Sequence, residues 1–295
     1  MRARHHLEFA GVAALAAVLR ALPRGAALAA GAALGELGWA ARIRRGVVDE
    51  NLAQALPGTP ERERRRIGAR AARNFGRTVA EFVRFAGADR ARLAELVALD
   101  GLAELRQAAS RDGAIVVTAH LGAWALYVTA LAAAGVPSAL LVGRQHNPKV
   151  QRFILAIPGG AVRFVPKSKH APREVLRCLE ERRAVVMVAD HRAGGSGIPA
   201  PFLGRVGSTL PLPGAIAARR GTSLFVMAGR RVAGGRHRVA ITPLPVASCA
   251  GGEDERRVAI ATACNEALGR AIVACPEQYF WYHRRWLGMP PAPAG

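Results

Sequence analysis

The chain has 295 residues, 51% of them hydrophobic and 21% charged, so it is long and apolar enough to bury a core, which excludes a disordered protein. Lysine and arginine total 42 against 21 acidic residues, and the net charge of +21 predicts an anionic partner. The basic residues are spread along the chain and aromatic residues make up only 5%, which argues against a nucleic-acid-binding protein. An acidic lipid surface or an acidic carrier protein fits the charge better.

Two apolar segments open the chain, at residues 7–19 and 25–41, with a short basic stretch between them. Neither reaches the roughly 18 to 20 uninterrupted apolar residues of a spanning helix. We therefore predict a helical hairpin in the membrane interface, followed by Arg42, Arg44 and Arg45 at the level of the lipid phosphates. An ordinary helical pair packed on the domain is the alternative.

The rest of the chain alternates between short β-branched runs and helical patterns. A charged and then amphipathic helical region over residues 60–85 comes first, and a glycine-rich loop is predicted at 194–207. The predicted strands are 114–119, 138–142, 162–165, 184–189, 223–231 and 238–242, and the predicted helices are 122–134, 148–156, 171–183, 213–220 and 253–274. This alternation predicts an α/β fold, a mostly parallel sheet flanked by helices, with an N-terminal helical segment at the membrane interface.

Three parts follow from this division of the chain. Residues 1–45 form a membrane-associating helical segment, residues 46–289 an α/β domain, and residues 290–295 a flexible tail rich in proline and alanine. The four cysteines form no C-x-x-C pair and have no histidine at zinc-ligand spacing, so neither a metal site nor a disulfide framework is expected. No cofactor is predicted.

Polar residues that directly follow strands are the first candidates for a site, because parallel sheets bind ligands at the carboxyl ends of their strands. His120 and Asp190 are two such residues. Either could also have a purely structural role, the histidine as a hydrogen-bonded residue and the aspartate as a helix cap.

The segment T-A-H-L-G-A-W-A from Thr118 resembles the T-x-H-x-G-N-W-E signature of the bacterial lipid A biosynthesis and lysophospholipid acyltransferase family. Other blocks resemble that family in the same order along nearly the whole chain. They are N-L-A-Q-A-L-P-G from Asn51, N-F-G-R-T-V-A-E-F from Asn74, R-Q-H-N-P from Arg144, V-A-D-H-R-A-G from Val188, P-F-L-G-R-V-G-S-T from Pro201 and W-Y-H-R-R-W from Trp281.

In glycerolipid acyltransferases, which this family resembles, a histidine and an acid five positions later form the catalytic pair. The resemblance gives His120 the role of general base, but Ala125 occupies the position of the acid and Ala123 that of the asparagine. An alanine side chain can neither orient an imidazole nor stabilise its charged form. Three interpretations stay open: Asp190 replaces the acid, His120 works without one at a reduced rate, or the chain binds lipid or carrier without turnover.

Three more residues are predicted to bind substrate. Arg144 follows a strand, and its match to a family block assigns it a phosphate of the acceptor or of a phosphopantetheine arm. Gly204 and Arg205 lie where backbone amides could approach an anionic oxygen, or where glycine simply serves a turn. The aromatic and cationic block from Trp281 fits a membrane interface, a cover for an acyl groove, or core packing.

The resemblance implies an acyltransferase that moves a fatty acyl chain from acyl-carrier protein or acyl-CoA to a hydroxyl of a glycolipid or lysophospholipid. It also implies a peripheral or monotopic protein on the cytoplasmic face of a bacterial inner membrane, in contact with its anionic surface. The alternative is a non-catalytic lipid- or carrier-binding member of the same fold.

Overall fold

The computed structural model describes residues 3–85, 90–246 and 252–289. Cys249 and the predicted flexible tail at 290–295 lie outside these residues. The helices are α1 (Ala3–Ala21), α2 (Arg24–Ala40), α3 (Arg45–Ala55), α4 (Glu61–Arg84), α5 (Arg90–Leu96), α6 (Leu102–Asp112), α7 (Trp124–Ala133), α8 (Pro148–Ala156), α9 (Ala171–Glu180), α10 (Leu212–Arg220) and α11 (Glu253–Ala274). The strands are β1 (Val97–Asp100), β2 (Ala114–Thr118), β3 (Ser138–Val142), β4 (Val162–Pro166), β5 (Ala184–Val188), β6 (Ile198–Phe202), β7 (Arg205–Thr209), β8 (Ser223–Arg231) and β9 (His237–Leu244).

The mostly parallel sheet that the sequence predicts is confirmed. Seven strands lie in the order β1-β9-β8-β2-β5-β3-β4, and β2, β3, β4, β5 and β8 all run in one direction. Strands β9 and β1 run the opposite way at one edge. Because β2 and β5 are neighbours in the middle of the sheet, the residues that follow them lie side by side.

Helices cover both faces of this sheet. Every residue of β2 is buried, and alternate side chains of a strand point to opposite faces. Ile115 and Val117 pack in the core beneath α9, α10 and α11, whereas Ala114 and Val116 pack in the core beneath α5, α6 and α7. The continuous apolar run of β2 is thus the pattern of a strand buried on both sides.

The N-terminal helices predicted from the two apolar segments are confirmed as α1 and α2. Helix α2 crosses α4 at very short range: a Cβ built on Gly76 would lie 1.9 Å from the carbonyl oxygen of Gly31, and one on Gly35 would lie 2.1 Å from that of Ala72. Only small residues allow two helix backbones to approach this closely. Among the described residues, no helix is both long enough and apolar enough to cross a bilayer.

The prediction of a glycine-rich loop at 194–207 is wrong, because most of this segment forms the antiparallel hairpin of β6 and β7. Its turn consists of Leu203 and Gly204, both with positive φ, at 50° and 78°, and such two-residue turns match the twist of a hairpin. Asn265 of α11 secures the hairpin by donating to the Pro201 carbonyl at 2.8 Å and to Thr209 Oγ1 at 2.9 Å. The prolines and glycines of this segment lower its strand propensity, so the sequence pattern does not indicate the two strands.

Candidate active site

His120 and Asp190 meet at the carboxyl edge of the sheet. Thr118 at the end of β2 is paired in register with Val188 at the end of β5, and each site residue follows two positions later. The Nδ1 atom of His120 lies 2.9 Å from Asp190 Oδ1, and the backbone N–H of His120 donates to Oδ2 at 3.2 Å. Both carboxylate oxygens therefore hold the same histidine.

The Asp190 carboxyl group is fully buried, while the His120 side chain is 21% exposed. Burial alone would raise the pKa of Asp190, but the charge and hydrogen bond of His120 outweigh it and lower that pKa below its usual range. An ionised Asp190 accepts a hydrogen bond from the Nδ1–H group of His120, which keeps the ring proton on Nδ1. The other ring nitrogen, Nε2, is then left with a free lone pair, as a general base requires.

Three imidazole rings are stacked at this edge. His191 lies between His120 and His283, with ring centroids 3.9 and 4.0 Å apart and planes within 12° of parallel. His283 is itself fixed, because its Nε2 accepts the backbone N–H of Arg192 at 3.0 Å and its carbonyl accepts from Asn51. Burial lowers the pKa of His191 to about 3, so this ring is neutral at pH 7. The stack therefore restricts rotation of His120 without adding charge beside it.

The same groups could be taken for metal ligands, since ligand atoms of His120, Asp190 and His191 all lie within 4.8 Å of one another. The stacking argues against this. Lone pairs of an imidazole lie in the plane of its ring, and two nearly parallel rings 3.9 Å apart do not direct them at one ion. Nδ1 of His120 is also engaged by the carboxylate. The arrangement fits an acid–base pair better than a metal centre.

Stability should fall in mild acid because of His191. The unfolded chain protonates this ring near pH 6.5, whereas the folded protein keeps it neutral down to about pH 3. Between these values the unfolded state binds more protons, so lowering the pH should reduce the free energy of unfolding by up to about 1.4 kcal/mol per pH unit. The lowered pKa of Asp190 adds a further loss below pH 3.8.

Urea unfolding at pH 7, 6, 5 and 4 measures this loss. His191→Gln should flatten the dependence, and His170→Gln, the same change at an exposed histidine, should leave it as in the native chain. An equal slope in both variants would contradict the assignment to His191.

An apolar cavity of about 420 Å³ lies beside the pair, and His120 and His191 form part of its wall. Most of the remaining lining is aliphatic or aromatic, from α4, α7, β3 and α8. Ala125 is among these residues, so the position of the expected acid faces the cavity with a methyl group instead. Its polar lining includes Lys167, which directly follows β4.

The sequence model of the family described as bacterial lipid A biosynthesis acyltransferase matches residues 2–288, essentially the whole chain. The protein belongs to the bacterial lipid A biosynthesis acyltransferase family. No curated protein sequence matches the chain significantly. Membership of this lipid acyltransferase family supports acyl transfer to a lipid as the general type of reaction.

In this member of the family the other predicted substrate-binding residues lie apart from the pair. Arg144 is exposed between β3 and α8, and only its neighbours Gly143 and Gln145 line the cavity of His120. Gly204 and Arg205 line a different cavity, beside α3 and α11. There the Arg205 guanidinium contacts the side chain of Gln54 and lies 5.9 Å from the Trp286 ring. A substrate-binding role for these three residues stays a prediction.

The C-terminal block, together with Tyr279 and Phe280 directly before it, packs in the core beside the pair. Trp281 and Trp286 are buried in the core, and burial together with the nearby Asp190 carboxylate raises the pKa of the buried Tyr279. Phe280 donates its backbone N–H to the His120 carbonyl at 3.0 Å. Arg285, also buried, donates to the Ser208 carbonyl at 2.6 Å and to Thr209 Oγ1 at 2.8 Å. The block thus ties the residues around the pair to the β6–β7 hairpin.

A second buried polar network was missed by the sequence reasoning. Glu81 accepts from Arg231 at 2.5 Å and from His237 Nε2 at 3.0 Å. Tyr127 bridges to the site, because its hydroxyl is 3.1 Å from His237 Nδ1 and accepts the backbone N–H of Ala123 at 2.9 Å. Burial would raise the pKa of Glu81, but the hydrogen bonds of His237 and Arg231 lower it. This network fixes the turn that directly follows His120.

Proposed function

We propose that the chain transfers a fatty acyl group from an acyl thioester, on acyl-carrier protein or CoA, to a hydroxyl of a glycolipid or lysophospholipid. The observation that carries the proposal is the hydrogen-bonded pair of His120 and Asp190 on the wall of an apolar cavity. An acyl chain in that cavity would bring its thioester carbonyl to the histidine. A long apolar cavity wall is the feature that distinguishes such a donor from a small polar substrate.

In the proposed reaction Nε2 of His120 removes the proton of the acceptor hydroxyl as its oxygen attacks the thioester carbonyl. The tetrahedral intermediate collapses by breaking the C–S bond, and the leaving thiolate takes the proton back from Nε2. The products are the acyl ester and the free thiol. Asp190 orients the ring through Nδ1 and stabilises the imidazolium that forms during the attack.

Asp190 supplies what Ala125 lacks. A carboxylate that follows the neighbouring strand reaches, with Oδ1, the same imidazole that an acid on α7 would otherwise orient, and its Oδ2 accepts from the backbone N–H of His120. The methyl group of Ala125 leaves its side of the cavity apolar, as an acyl chain requires. Lys167 and Arg144 lie at the same edge of the sheet and provide positive charge for phosphates of the donor arm.

The proposed location is the cytoplasmic face of a bacterial inner membrane, with peripheral or monotopic attachment through α1 and α2. Large apolar side chains are exposed on this segment, among them Leu7, Val18, Leu37 and Ile43. Exposed apolar groups followed by arginines are the composition of an interfacial helix on an anionic leaflet.

The direct test is transfer of a radiolabelled acyl chain from palmitoyl-acyl-carrier protein or palmitoyl-CoA to bacterial lysophospholipids and lipid A precursors. His120→Ala should lower the rate by about 10²–10⁴-fold, the usual contribution of a general base. His170→Ala, at an exposed histidine, should retain the native rate. Equal turnover in the native and His120→Ala proteins, or none in either, would reject the enzyme and favour the non-catalytic binding member.

A further inference from the structure

A second apolar cavity of about 370 Å³ lies between the N-terminal helices and α4. Most of its lining comes from α1, α2 and α4, with Gly35 and Gly38 on α2 exposing the helix backbone. At Gly31 and Gly76 the backbones of α2 and α4 are already in contact. The two helices therefore cannot move closer together to fill this cavity. We call this cavity the hairpin groove.

The hairpin groove adjoins the cavity of His120. Phe75 and Val79 on α4 line both cavities, so the two are separated by these side chains. Phe280 and Tyr282 also line the groove, and the Phe280 ring lies 5.9 Å from the His120 ring. A molecule in the groove would therefore lie close to the proposed reacting atoms, separated from the first cavity by Phe75 and Val79.

The hairpin groove has a positively charged side chain in its wall, that of Arg44. Arg44 lines it, and within the described residues no carboxylate lies at salt-bridge distance from its guanidinium. Its backbone has φ of +53°, a conformation unfavourable for a side-chain-bearing residue. Leu34 and Ile43, which also line the groove, are exposed. The hairpin groove is thus apolar, has a cation at its wall with no carboxylate partner among the described residues, and adjoins exposed apolar side chains.

We propose that the hairpin groove binds an acyl chain already carried by the acceptor lipid, with Arg44 binding an anionic group of that lipid. This inference rests on the proposed acyl transfer and specifies its acceptor as an anionic lipid with at least one acyl chain. The donor chain then lies in the cavity lined by Ala125 and the acceptor chain in the groove, with Phe75 and Val79 between them.

Gly38→Leu tests the groove because Gly38 lines it and has room for a Cβ atom. A Cβ at Gly38 meets only Ile43 Cδ1, at 3.9 Å, whereas one at Gly35 would strike the backbone of Ala72. Leucine also favours a helix more than glycine does, so α2 should remain folded. Gly25→Leu is the matched control, since Gly25 is exposed on the same helix with nothing within 4 Å of its Cβ position.

Binding is measured with pyrene-labelled lysophosphatidylglycerol below its micelle concentration, in a His120→Ala background that removes turnover. Gly38→Leu should raise the Kd about tenfold, the effect of about two methylenes losing their buried site, and Gly25→Leu should leave it unchanged. Arg44→Gly should weaken binding of this anionic probe and not of the zwitterionic choline analogue. Arg42→Gly is its control, because Arg42 also has a positive φ, of 58°, and does not line the groove.

In the native background, Gly38→Leu should raise the KM for the acceptor and not for the acyl thioester. Unchanged probe binding in Gly38→Leu overturns the proposal, as does a raised KM for the thioester alone. Unchanged probe binding together with an altered oligomeric state would assign the groove to a second copy of the chain. Because the binding assay needs no turnover, groove-dependent binding without transfer would count against the proposed reaction and not against the groove.

Discussion

Asp190→Asn is expected to lower kcat for acyl transfer by about 10²–10⁴-fold while the protein stays folded. In the native protein Asp190 accepts from both Nδ1 and the backbone N–H of His120. An asparagine can accept from only one of these with its oxygen, and its amide then donates to Nδ1. The proton of the ring moves to Nε2, and the base loses the lone pair that it needs.

The measurement is kcat and KM for the thioester, together with the melting temperature. A loss confined to kcat identifies an effect on His120, whereas a loss of substrate affinity alone would contradict it. Asp112→Asn is the control, since Asp112 is an exposed carboxylate at the end of α6 and should give native kinetics. Native kcat in folded Asp190→Asn would remove Asp190 from the mechanism.

The largest loss of stability is expected from Glu81→Gln, at about 3–5 kcal/mol. Glu81 is fully buried and is the carboxylate that balances the Arg231 guanidinium, whose side chain is only 8% exposed. Removing the negative charge leaves that cation buried with polar partners alone. Arg24 at the start of α2 lies 3.8 Å from the same carboxylate, so α2 should also pack less firmly on α4 in this variant.

A double-mutant cycle in urea separates this pair from its surroundings. Arg231→Gln should also destabilise, and the double variant should lose clearly less than the sum of the two single losses. The exposed ion pair of Asp100 and Arg238, at 2.7 Å, is the matched comparison, and Asp100→Asn should cost less than about 1 kcal/mol. Additive losses at Glu81 and Arg231 would show that the pair is not coupled.

The sheet and the meeting of His120 with Asp190 could be anticipated from the sequence because both follow from local patterns. Apolar runs of five or six residues indicate the central strands. The observed bounds of β3, α8 and α11 are those predicted from the sequence. The carboxyl ends of parallel strands share one edge, so the sequence places two residues 70 positions apart along the same edge, and the pairing of β2 with β5 makes them neighbours. His191 directly follows Asp190, but its stacking required coordinates.

Other features depend on contacts that no local pattern encodes. Glu81 and Arg231 are 150 residues apart, and in the sequence each is one charge among many in a basic chain. The sequence predicts a loop where β6 and β7 form a hairpin, because prolines and glycines lower strand propensity; packing on α11 overrides that preference. The position of Lys167 in the sequence could have indicated that it lines the cavity, since it follows the end of β4 as His120 follows the end of β2.

The crossing of α2 and α4 at Gly31 and Gly76 has a mechanical consequence. Two helices in backbone contact cannot slide past one another, and α4 carries Phe75 and Val79 on the wall of the His120 cavity. On the proposed membrane contact, the depth to which α1 and α2 sink therefore sets the height of His120 above the hydrocarbon. On the same proposal, the contact of Gly31 with Gly76 would fix the distance between the membrane-contacting helices and His120, and this distance would select which hydroxyls of an embedded lipid reach the base.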